Sequence, residues 1–407
     1  MHAAPLRRGA LLLAAAFLLG LVRLPAATVE PVVAPAGADA MCAALATAPD
    51  GTVFLSWLEP AGPDATALKF ARYDAAQNRW GDARLIAHGR DWFVNWADFP
   101  VLAVQTGGRM TAVWFAYSPA HAAPGQLGRA YHAEVSTSDD GGATWTSPRP
   151  LATGSDSVEF VALQPLADGR MLALWLDSRH RATNGDRQSL YAKFIGSDGS
   201  DLLLDDAVCD CCQITTALTP GGMIAAYRGR TADEVRDIRL VEFRDGRWTK
   251  PHPLHLDRWN ITGCPVNGPQ LSSRGAQVAA TWFTAARSQP RVFTKLSTDG
   301  GATFGAPLRI DLGRPQGRVD NVLVADGTTV VTWLETGAGD GQAGGIYLRT
   351  ISPAGVLSEP QMLAPATESR AGGFPRMTVL GANRLLLAYT LEAEPSRVVT
   401  LLVSLND

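Results

Sequence analysis

The sequence predicts an all-β protein whose 407 residues fold as a closed β-propeller of seven blades. Three observations carry this prediction. An aromatic residue closes a short hydrophobic strand seven times, at intervals of 51 to 61 residues. A turn signal precedes each of these strands, and the 3.6-residue periodicity of a helix is nowhere sustained. The seven aromatic residues are Trp57, Trp114, Trp175, Tyr227, Trp282, Trp333 and Tyr389.

Each repeat contains four β-prone segments in a fixed order. A first run, such as 160–164 or 322–325, precedes the turn, and the aromatic strand follows the turn. Two further runs come next, for example 129–135 and then the segment around 148–154. Four short strands in every stretch of about 50 to 60 residues are typical of propeller blades rather than of a sandwich.

The last repeat is one strand short, and this predicts how the ring closes. Only one β-prone segment, 397–405, follows Tyr389, so the seventh blade lacks its outer strand. Residues 30–36 (EPVVAPA) are similar to the outer strand of the sixth repeat at 359–365 (EPQMLAP). We therefore expect the N-terminal strand to complete the seventh blade and to leave no open sheet edge. A ring of six blades is the alternative.

The first 27 residues are expected to form a secretory signal peptide that is removed. Arg7 and Arg8 precede an apolar run over 10–22, and the small residues Ala26 and Ala27 follow it. This run is shorter than the ~20 apolar residues that a spanning helix needs. We expect residues 28–407 to be exported as one β-propeller domain, secreted or periplasmic, with no membrane span.

Composition excludes some classes of partner. The chain has 36 basic and 39 acidic side chains, and 18% of its residues are charged. A chain this balanced has neither the basic footprint of a nucleic-acid-binding protein nor the composition of a disordered tail. We expect a monomer that binds no nucleic acid.

Two hairpins carry a more specific signal. Residues 138–145 (SDDGGATW) and 297–304 (STDGGATF) match the pattern S-x-D-x-G-x-T-[WF], and each falls between the third and outer strands of its blade. The Asp of such a turn accepts backbone N–H groups, and its Gly takes a positive φ. Here the chain resembles the Asp-box, or BNR-repeat, proteins of the sialidase-like superfamily. The resemblance implies the propeller fold and places these turns away from the end where the family's active sites form.

The resemblance also implies a set of catalytic residues. Sialidases of this superfamily bind the substrate carboxylate through three arginines, use a Tyr activated by a Glu as nucleophile, and carry a [FY]-R-I-P motif. The one similar string here, residues 22–25 (VRLP), lies in the signal segment. If the chain is a hydrolase, the resemblance points to Tyr227 beside Glu159 or Glu234, with Asp98 as the acid. Because the similar string lies in a segment that is expected to be removed, the sequence favours a protein that is not an enzyme.

Four of the five cysteines occupy related positions. Cys209, Cys211 and Cys212 form a C-x-C-C motif, and Cys264 belongs to the next repeat. Cys209 and Cys264 each lie 18 residues before the aromatic residue of their own repeat. The shared spacing predicts that they meet where two adjacent inner strands begin, at one mouth of the central channel.

The same counting brings further groups to this mouth. Asp98 and Glu159 each lie 16 residues before their aromatic residue, while Cys42 and Cys212 each lie 15 before theirs. Export favours disulfide bonding, with a Cys209–Cys264 bridge between blades as the expected pair. The alternative is a copper or zinc site built from clustered thiolates, with Asp98 or Glu159 nearby. A redox role for the adjacent pair Cys211–Cys212 also stays open, and an odd number of cysteines leaves one unpaired.

Loops after the aromatic strands add basic, acidic and aromatic side chains to the predicted mouth. Such a mixture suits a small anionic or sugar-like ligand, unless the charges only pair with one another. The candidate ligand-binding residues are Trp96, Arg179, Arg228, Arg230, Arg236 and Asp237.

Two functions therefore follow from the sequence. The first is an exported, non-catalytic propeller that binds a ligand or a metal ion at a site rich in Cys and Arg. The alternative is an exo-sialidase-like glycoside hydrolase that acts on an anionic sugar. A platform that binds other proteins is a third possibility.

Overall fold

The computed structural model describes residues 27–118, 130–155, 157–337 and 344–406. Except for Ala27, the expected signal segment lies outside these residues. The described chain is built from β-strands, with three single-turn 3-10 helices at Arg181–Thr183, Ala286–Ser288 and Arg370–Gly372. No helix in these ranges is long and apolar enough to cross a membrane.

The strands form seven antiparallel sheets of four principal strands. After β1 (Ala27–Val32), blade 1 contains β2 (Met41–Thr47), β3 (Val53–Pro60), β4 (Ala65–Asp74), β5 (Arg79–Trp80) and β6 (Arg84–Arg90). Blade 2 contains β7 (Val101–Val104), β8 (Met110–Tyr117), β9 (Tyr131–Ser138) and β10 (Arg149–Pro150). Blade 3 contains β11 (Val158–Pro165), β12 (Met171–Asp177), β13 (Gln188–Phe194) and β14 (Leu202–Val208).

The remaining blades repeat this order. Blade 4 contains β15 (Thr215–Thr219), β16 (Gly222–Arg228), β17 (Ile238–Arg244), β18 (Arg247–Trp248) and β19 (His252–Pro253). Blade 5 contains β20 (Gln270–Arg274), β21 (Gln277–Thr284), β22 (Arg291–Ser297) and β23 (Leu308–Arg309). Blade 6 contains β24 (Pro315–Leu323), β25 (Thr329–Glu335), β26 (Gly345–Ile351) and β27 (Gln361–Pro365), and blade 7 contains β28 (Arg376–Val379), β29 (Arg384–Leu391) and β30 (Arg397–Leu405).

The seven sheets form a closed ring around a central channel. The inner strands are β2, β7, β11, β15, β20, β24 and β28, and each contacts the inner strand of the next blade, with β28 returning to β2. The prediction of a seven-bladed all-β propeller is confirmed, and the alternative of six blades is wrong.

The N-terminal strand completes the last blade, as the missing outer strand indicated. β1 pairs antiparallel with β30, from Ala27 opposite Leu405 to Val32 opposite Thr400. The Gln361 side chain of blade 6 fixes the start of this strand, because it accepts from the Ala27 N–H at 2.8 Å and donates to the Ala27 carbonyl at 2.7 Å. The strand begins before the segment 30–36 that the comparison of repeats indicated.

The repeated aromatic residue of each second strand lies in the core between blades. Six of the seven are at most 2% exposed, and Tyr389 is 7% exposed. A buried indole N–H needs an acceptor. In three blades the acceptor is a carboxylate two residues further along the strand: the indoles of Trp57, Trp175 and Trp333 donate to Glu59, Asp177 and Glu335 at 2.6 to 2.9 Å.

The two hairpins that carry the resemblance have matching hydrogen bonds. In the first, Asp140 accepts from the Thr144 backbone N–H at 2.9 Å and from its hydroxyl at 2.6 Å, and the Ser138 hydroxyl accepts from the Gly142 N–H. Asp299 of the second makes the same two bonds with Thr303. Each hairpin joins the third strand of its blade to the outer strand, as expected.

Three inner strands are bulged close to where they begin. The register of the β2, β11 and β24 ladders shifts at residues 42–43, 160–161 and 318–319. Cys42, Phe160 and Arg318 have positive φ values of 58°, 51° and 50° at these bulges. A bulge leaves a residue out of the ladder and redirects its side chain. All three residues lie 15 positions before the aromatic residue of their blade.

Removal of β1 should destabilise the entire ring. A chain that begins at Pro35 leaves the outer edge of β30 without the six residue pairs that β1 provides. We expect the free energy of unfolding to fall by about 3 to 5 kcal/mol, since each lost ladder bond costs about 1 kcal/mol. Urea unfolding monitored by tryptophan fluorescence measures this, with a chain that begins at Ala27 as the control. Equal midpoints for the two chains would contradict a stabilising role for the closure.

Candidate functional site

The C-x-C-C motif folds into a compact cluster of thiols between β14 and β15. The sulfur atoms of Cys209, Cys211 and Cys212 all lie within 4.8 Å of one another. The Cys209 Sγ is 3.7 Å from the Cys212 Sγ and 3.9 Å from the Cys211 Sγ. Cys209 and Cys212 are buried and Cys211 is half-buried, so the cluster is largely shielded from water.

Backbone and amide contacts fix the cluster at the start of blade 4. The Cys209 N–H donates to the Arg228 carbonyl at 2.9 Å, which ties the motif to the end of β16. Gln213 follows the motif and spans three blades: its amide donates to the Ala97 carbonyl at 2.7 Å and accepts from the Gly268 N–H at 3.0 Å. The three sulfurs therefore belong to an ordered part of the fold.

Cys264 approaches the cluster from the neighbouring blade, and its partner there is Cys211 rather than Cys209, with which it shares its spacing. Cys264 is exposed. The loop that carries Cys264 is held at its start by Asp237, whose carboxylate accepts from the N–H groups of Arg258 and Trp259 at 2.9 and 3.0 Å. Four cysteines thus meet where blades 4 and 5 adjoin.

The expected disulfide bridge is not formed. All five cysteines have free thiols, Cys264 included. A disulfide needs its two sulfurs about 2.05 Å apart, and the sulfur separations of 3.7 and 3.9 Å within the cluster are far longer. Cys42 lies apart from the cluster, where its thiol contacts the Asn95 carbonyl at 3.3 Å and burial raises the pKa of that thiol to about 12.

Arg236 places a positive charge directly on the cluster. Its Nη1 donates to the Cys209 Sγ at 3.3 Å, and its other nitrogens donate to the Glu234 carboxylate. Hydrogen bonds from Cys211 and Cys212, reinforced by the charge of Arg236, hold the pKa of the Cys209 thiol well below its ordinary value. Burial and the hydrogen bond with Cys209 raise the pKa of Cys212 to about 12. These contacts favour the thiolate form at Cys209 over Cys212.

A charged network surrounds the thiols. Arg230 binds Glu234 and Asp210, with Nη2 at 2.7 Å from Glu234 Oε1 and Nη1 at 2.9 Å from Asp210 Oδ2. Arg181 binds Asp186 at 2.6 Å and approaches Asp210 at 4.0 Å. Burial raises the pKa of Asp210 even though Arg230 opposes this effect. These arginines are paired with carboxylates of the protein.

Two other candidate ligand-binding residues hold loops in place. The Arg228 guanidinium is 1% exposed and donates to the carbonyls of Arg236, Asn267 and Phe283 at 2.7 to 2.9 Å, with its carbon 4.9 Å from the Trp259 ring centre. It thus joins blade 4 to the loop that carries Cys264. Asp237 fixes the same loop through the bonds described above. The buried position of Arg228 corrects the expectation that it meets a ligand.

Arg179 is also engaged within the fold. Its guanidinium binds Asp177 at 2.6 Å and Asp201 at 2.8 Å, and it stacks over the Tyr191 ring at 4.3 Å. These partners belong to blade 3, so Arg179 does not reach the thiol cluster.

Trp96 lies in a separate aromatic and cationic group at the starts of the inner strands of blades 2 and 7. Its ring stacks on Phe374 with centres 5.8 Å apart. Arg318 lies 4.9 Å and Arg370 5.9 Å from the Trp96 ring centre. Burial and the charge of Arg370 lower the pKa of Arg318 to about 10.

The tyrosine that was predicted as the nucleophile, Tyr227, lies beside neither of its two expected glutamates. The Tyr227 hydroxyl is fully buried and donates to Asp205 Oδ2 at 2.7 Å, so its partner is Asp205 rather than Glu159 or Glu234. Burial raises the pKa of Tyr227 far above its ordinary value.

A different tyrosine joins the two predicted carboxylates. The Tyr131 hydroxyl donates to Asp98 Oδ2 at 2.8 Å and also interacts with Glu159. Asp98 Oδ1 accepts from the Phe160 N–H at 2.9 Å. Burial raises the pKa of Glu159 to about 7, and burial together with the charge of Glu159 raises that of Asp98 well above its usual value. Tyr131 begins the third strand of blade 2, a position that counting back from the aromatic residues did not reach.

Comparisons with known proteins agree on architecture. The chain matches no family model, and no curated protein is similar to it in sequence. A protein of unknown function from Dyadobacter fermentans aligns over 95% of this chain and 100% of its own, with 14% identity and a TM-score of 0.51. This similarity, like the two that follow, shows the fold alone. An ulvan lyase from a new family of polysaccharide lyases covers 94% of each chain at 10% identity and TM-score 0.52. The endosialidase of phage phi92 aligns over 94% of this chain and 69% of its own, at 9% identity and TM-score 0.50.

Substitution of Arg228 tests its assignment as a structural residue. Arg228→Met removes the donors to three buried carbonyls, so we expect the free energy of unfolding to fall by about 3 kcal/mol or more. The control is Arg72→Met, because Arg72 is exposed. Urea unfolding of both variants provides the comparison, and a loss for Arg228→Met no larger than for the control would contradict the assignment.

Proposed function

We propose that this protein is an exported, non-catalytic propeller that binds one soft metal ion, copper(I) or zinc(II), through Cys209, Cys211 and Cys212. The observation that carries the proposal is the convergence of three sulfurs within 4.8 Å. A tetrahedral ion with metal–sulfur bonds of about 2.3 Å separates its sulfur ligands by about 3.8 Å. The two sulfur separations of 3.7 and 3.9 Å agree with this spacing.

The ligand chemistry selects the class of metal. Thiolates are soft ligands that favour copper(I) and zinc(II) over calcium or magnesium. Copper(I) is satisfied by three sulfurs, whereas a structural zinc ion takes four ligands. Cys264 interacts with Cys211 and is exposed, so it is the residue that we propose as a fourth ligand.

The charges around the cluster also suit a bound cation with several thiolates. Three thiolates and one copper(I) ion carry a net charge of −2, and burial of that charge requires positive partners. Arg236 is 3% exposed and donates directly to the Cys209 sulfur. Arg228 adds a second positive charge near this sulfur. The structure thus has cations where a metal–thiolate complex needs them.

A site filled by protein sulfurs favours binding over catalysis. Catalytic metal sites keep one coordination position open for water or substrate. Here three sulfurs surround the position of the ion and a fourth lies beside them. We therefore assign the cluster to metal capture or carriage outside the cytoplasm, in line with the expected signal peptide.

Metal titration tests the proposal. The reduced protein, titrated anaerobically with copper(I) or zinc(II) against a competing chelator, should bind one equivalent. Each of Cys209→Ser, Cys211→Ser and Cys212→Ser should weaken binding by at least tenfold, because each removes one ligand. Cys42→Ser is the matched control, a free thiol outside the cluster, and should bind like the unaltered protein.

Two results would contradict the metal site. One is a reduced protein that binds less than one equivalent of either ion. The other is a count of free thiols on the exported protein that shows two disulfides and one remaining thiol, as the disulfide hypothesis expects.

One observation supports a second candidate, the sialidase-like hydrolase. Tyr131 with Asp98 and Glu159 supplies the residue types of a tyrosine nucleophile, a base and an acid. Two features weigh against it. The ring of Tyr131 is covered by Phe93, with ring centres 3.7 Å apart. In addition, Arg179, Arg230 and Arg236 are bound to carboxylates of the protein, which leaves these arginines engaged rather than free for a substrate.

An activity assay separates the two candidates. We expect no hydrolysis of a fluorogenic sialoside above the uncatalysed rate, by the unaltered protein or by Tyr131→Phe. Tyr227→Phe serves as the matched variant, because it removes a buried hydroxyl bound to Asp205. Turnover that survives Tyr227→Phe and is lost in Tyr131→Phe would establish the hydrolase instead.

A further inference from the structure

The central channel holds a cavity distinct from the cysteine cluster. It encloses about 450 Å³ and runs along the inner strands of all seven blades. Gln213 and Asp98 line it near the starts of these strands, and Thr47 and Val104 line it near their ends. Small-molecule pockets have volumes of about 300 to 1,000 Å³. The channel is therefore large enough for a small organic ligand.

Arg376 contributes a positive charge to this cavity, and no described residue forms an ion pair or a hydrogen bond with its guanidinium. Among the described residues two aromatic rings flank its guanidinium, whose carbon is 5.0 Å from the Phe99 ring centre and 5.6 Å from that of Phe374, and Asp320 is near enough to act on its charge. Its side chain is half-buried at the channel wall, and burial lowers the pKa of Arg376. Its five N–H donors are available to a ligand.

The carboxylates near Arg376 are already occupied. Asp320 Oδ1 accepts from the Asn321 N–H at 2.9 Å and Asp320 Oδ2 from the Met377 N–H at 2.7 Å. Asp98 is bound by Tyr131 and by the Phe160 backbone, as described above. These contacts leave the guanidinium free for a ligand. The planar fork of Arg matches a carboxylate in a bidentate manner.

Neutral polar groups along the wall extend the recognition surface. Asn321 is 3% exposed; its amide nitrogen donates to Thr281 Oγ1 at 2.7 Å, while its Oδ1 has no partner among the described residues. The Ser272 hydroxyl likewise lacks a partner in the described chain. Both residues line the cavity. A ligand with hydroxyl groups would satisfy them, whereas a purely apolar one would leave them unpaired.

We propose that the central channel is a second binding site, in which Arg376 binds the carboxylate of a small hydroxylated monoacid and Asn321 and Ser272 bind its hydroxyl groups. The site uses none of the cysteines and is independent of the metal proposal. It selects a monoanion because Arg376 is the one cationic side chain among the described residues that line the cavity.

Calorimetric titration with a matched pair of acids tests this site. Gluconate and hexanoate have six carbons and one carboxylate each, and only gluconate carries hydroxyl groups. Gluconate should bind the unaltered protein one to one and at least tenfold more tightly than hexanoate. Inorganic phosphate, titrated at about pH 8.5 where it is almost entirely doubly charged, should bind at least tenfold more weakly than gluconate at the same pH.

Variants assign the site to Arg376. Arg376→Met should weaken gluconate binding by at least tenfold, while Arg72→Met, a change outside the channel, should leave it unchanged. Arg376→Lys keeps the charge without the fork, so it should show intermediate affinity, and it provides the test if the Met variant fails to fold. The proposal is overturned if gluconate does not bind, if hexanoate or phosphate binds equally well, or if both folded Arg376 variants retain full affinity.

Discussion

Closure of seven sheets into one ring is the constraint on which every site in this protein depends. The chain meets its own beginning where β1 pairs with β30, and only then does β28 contact β2. Because each blade contributes its inner strand in the same order, the starts of these strands converge at one level. That convergence brings Cys264 against Cys211 and Glu159 near Asp98, although the chain separates each pair by a full blade.

The charged residues beside the thiols act mainly on one another and on the backbone. Arg230 and Arg236 share Glu234, while Arg228 and Asp237 hold the loop that presents Cys264. A ligand would have to displace these contacts before it could use the guanidinium groups. Three of the sulfurs lie within 4.8 Å of one another, and Arg236 donates to one of them, Cys209, without separating it from the other two. This contrast is why the cluster, and not the arginines, defines the chemistry of this mouth.

Spacing was sufficient to predict the repeat, and the missing outer strand was sufficient to predict the ring closure, because a blade fixes the number and order of its strands. It could not predict side-chain partners. Arg228 directly follows the aromatic residue Tyr227, as an exposed loop arginine would, yet the carbonyls of Arg236, Asn267 and Phe283 enclose it. Tyr227 and Tyr131 differ in the same way: the hydroxyl of the first reaches the outer strand of blade 3, while that of the second reaches the loop before β7. Such pairings depend on how loops cross between blades, and no local pattern records them.

The residue 15 positions before each repeated aromatic residue occupies an equivalent place in all seven blades. In chain order it is Cys42, Phe99, Phe160, Cys212, Asn267, Arg318 and Phe374. In three blades this residue sits at a bulge, outside the regular ladder, so its side chain is largely uncoupled from strand pairing. Side chains of cysteine, phenylalanine, asparagine and arginine all occur at this one level of the ring. The ring thus has seven equivalent positions, one in each blade, at which a side chain can be substituted. A new set of ligands could be introduced at these positions without a redesign of the sheets.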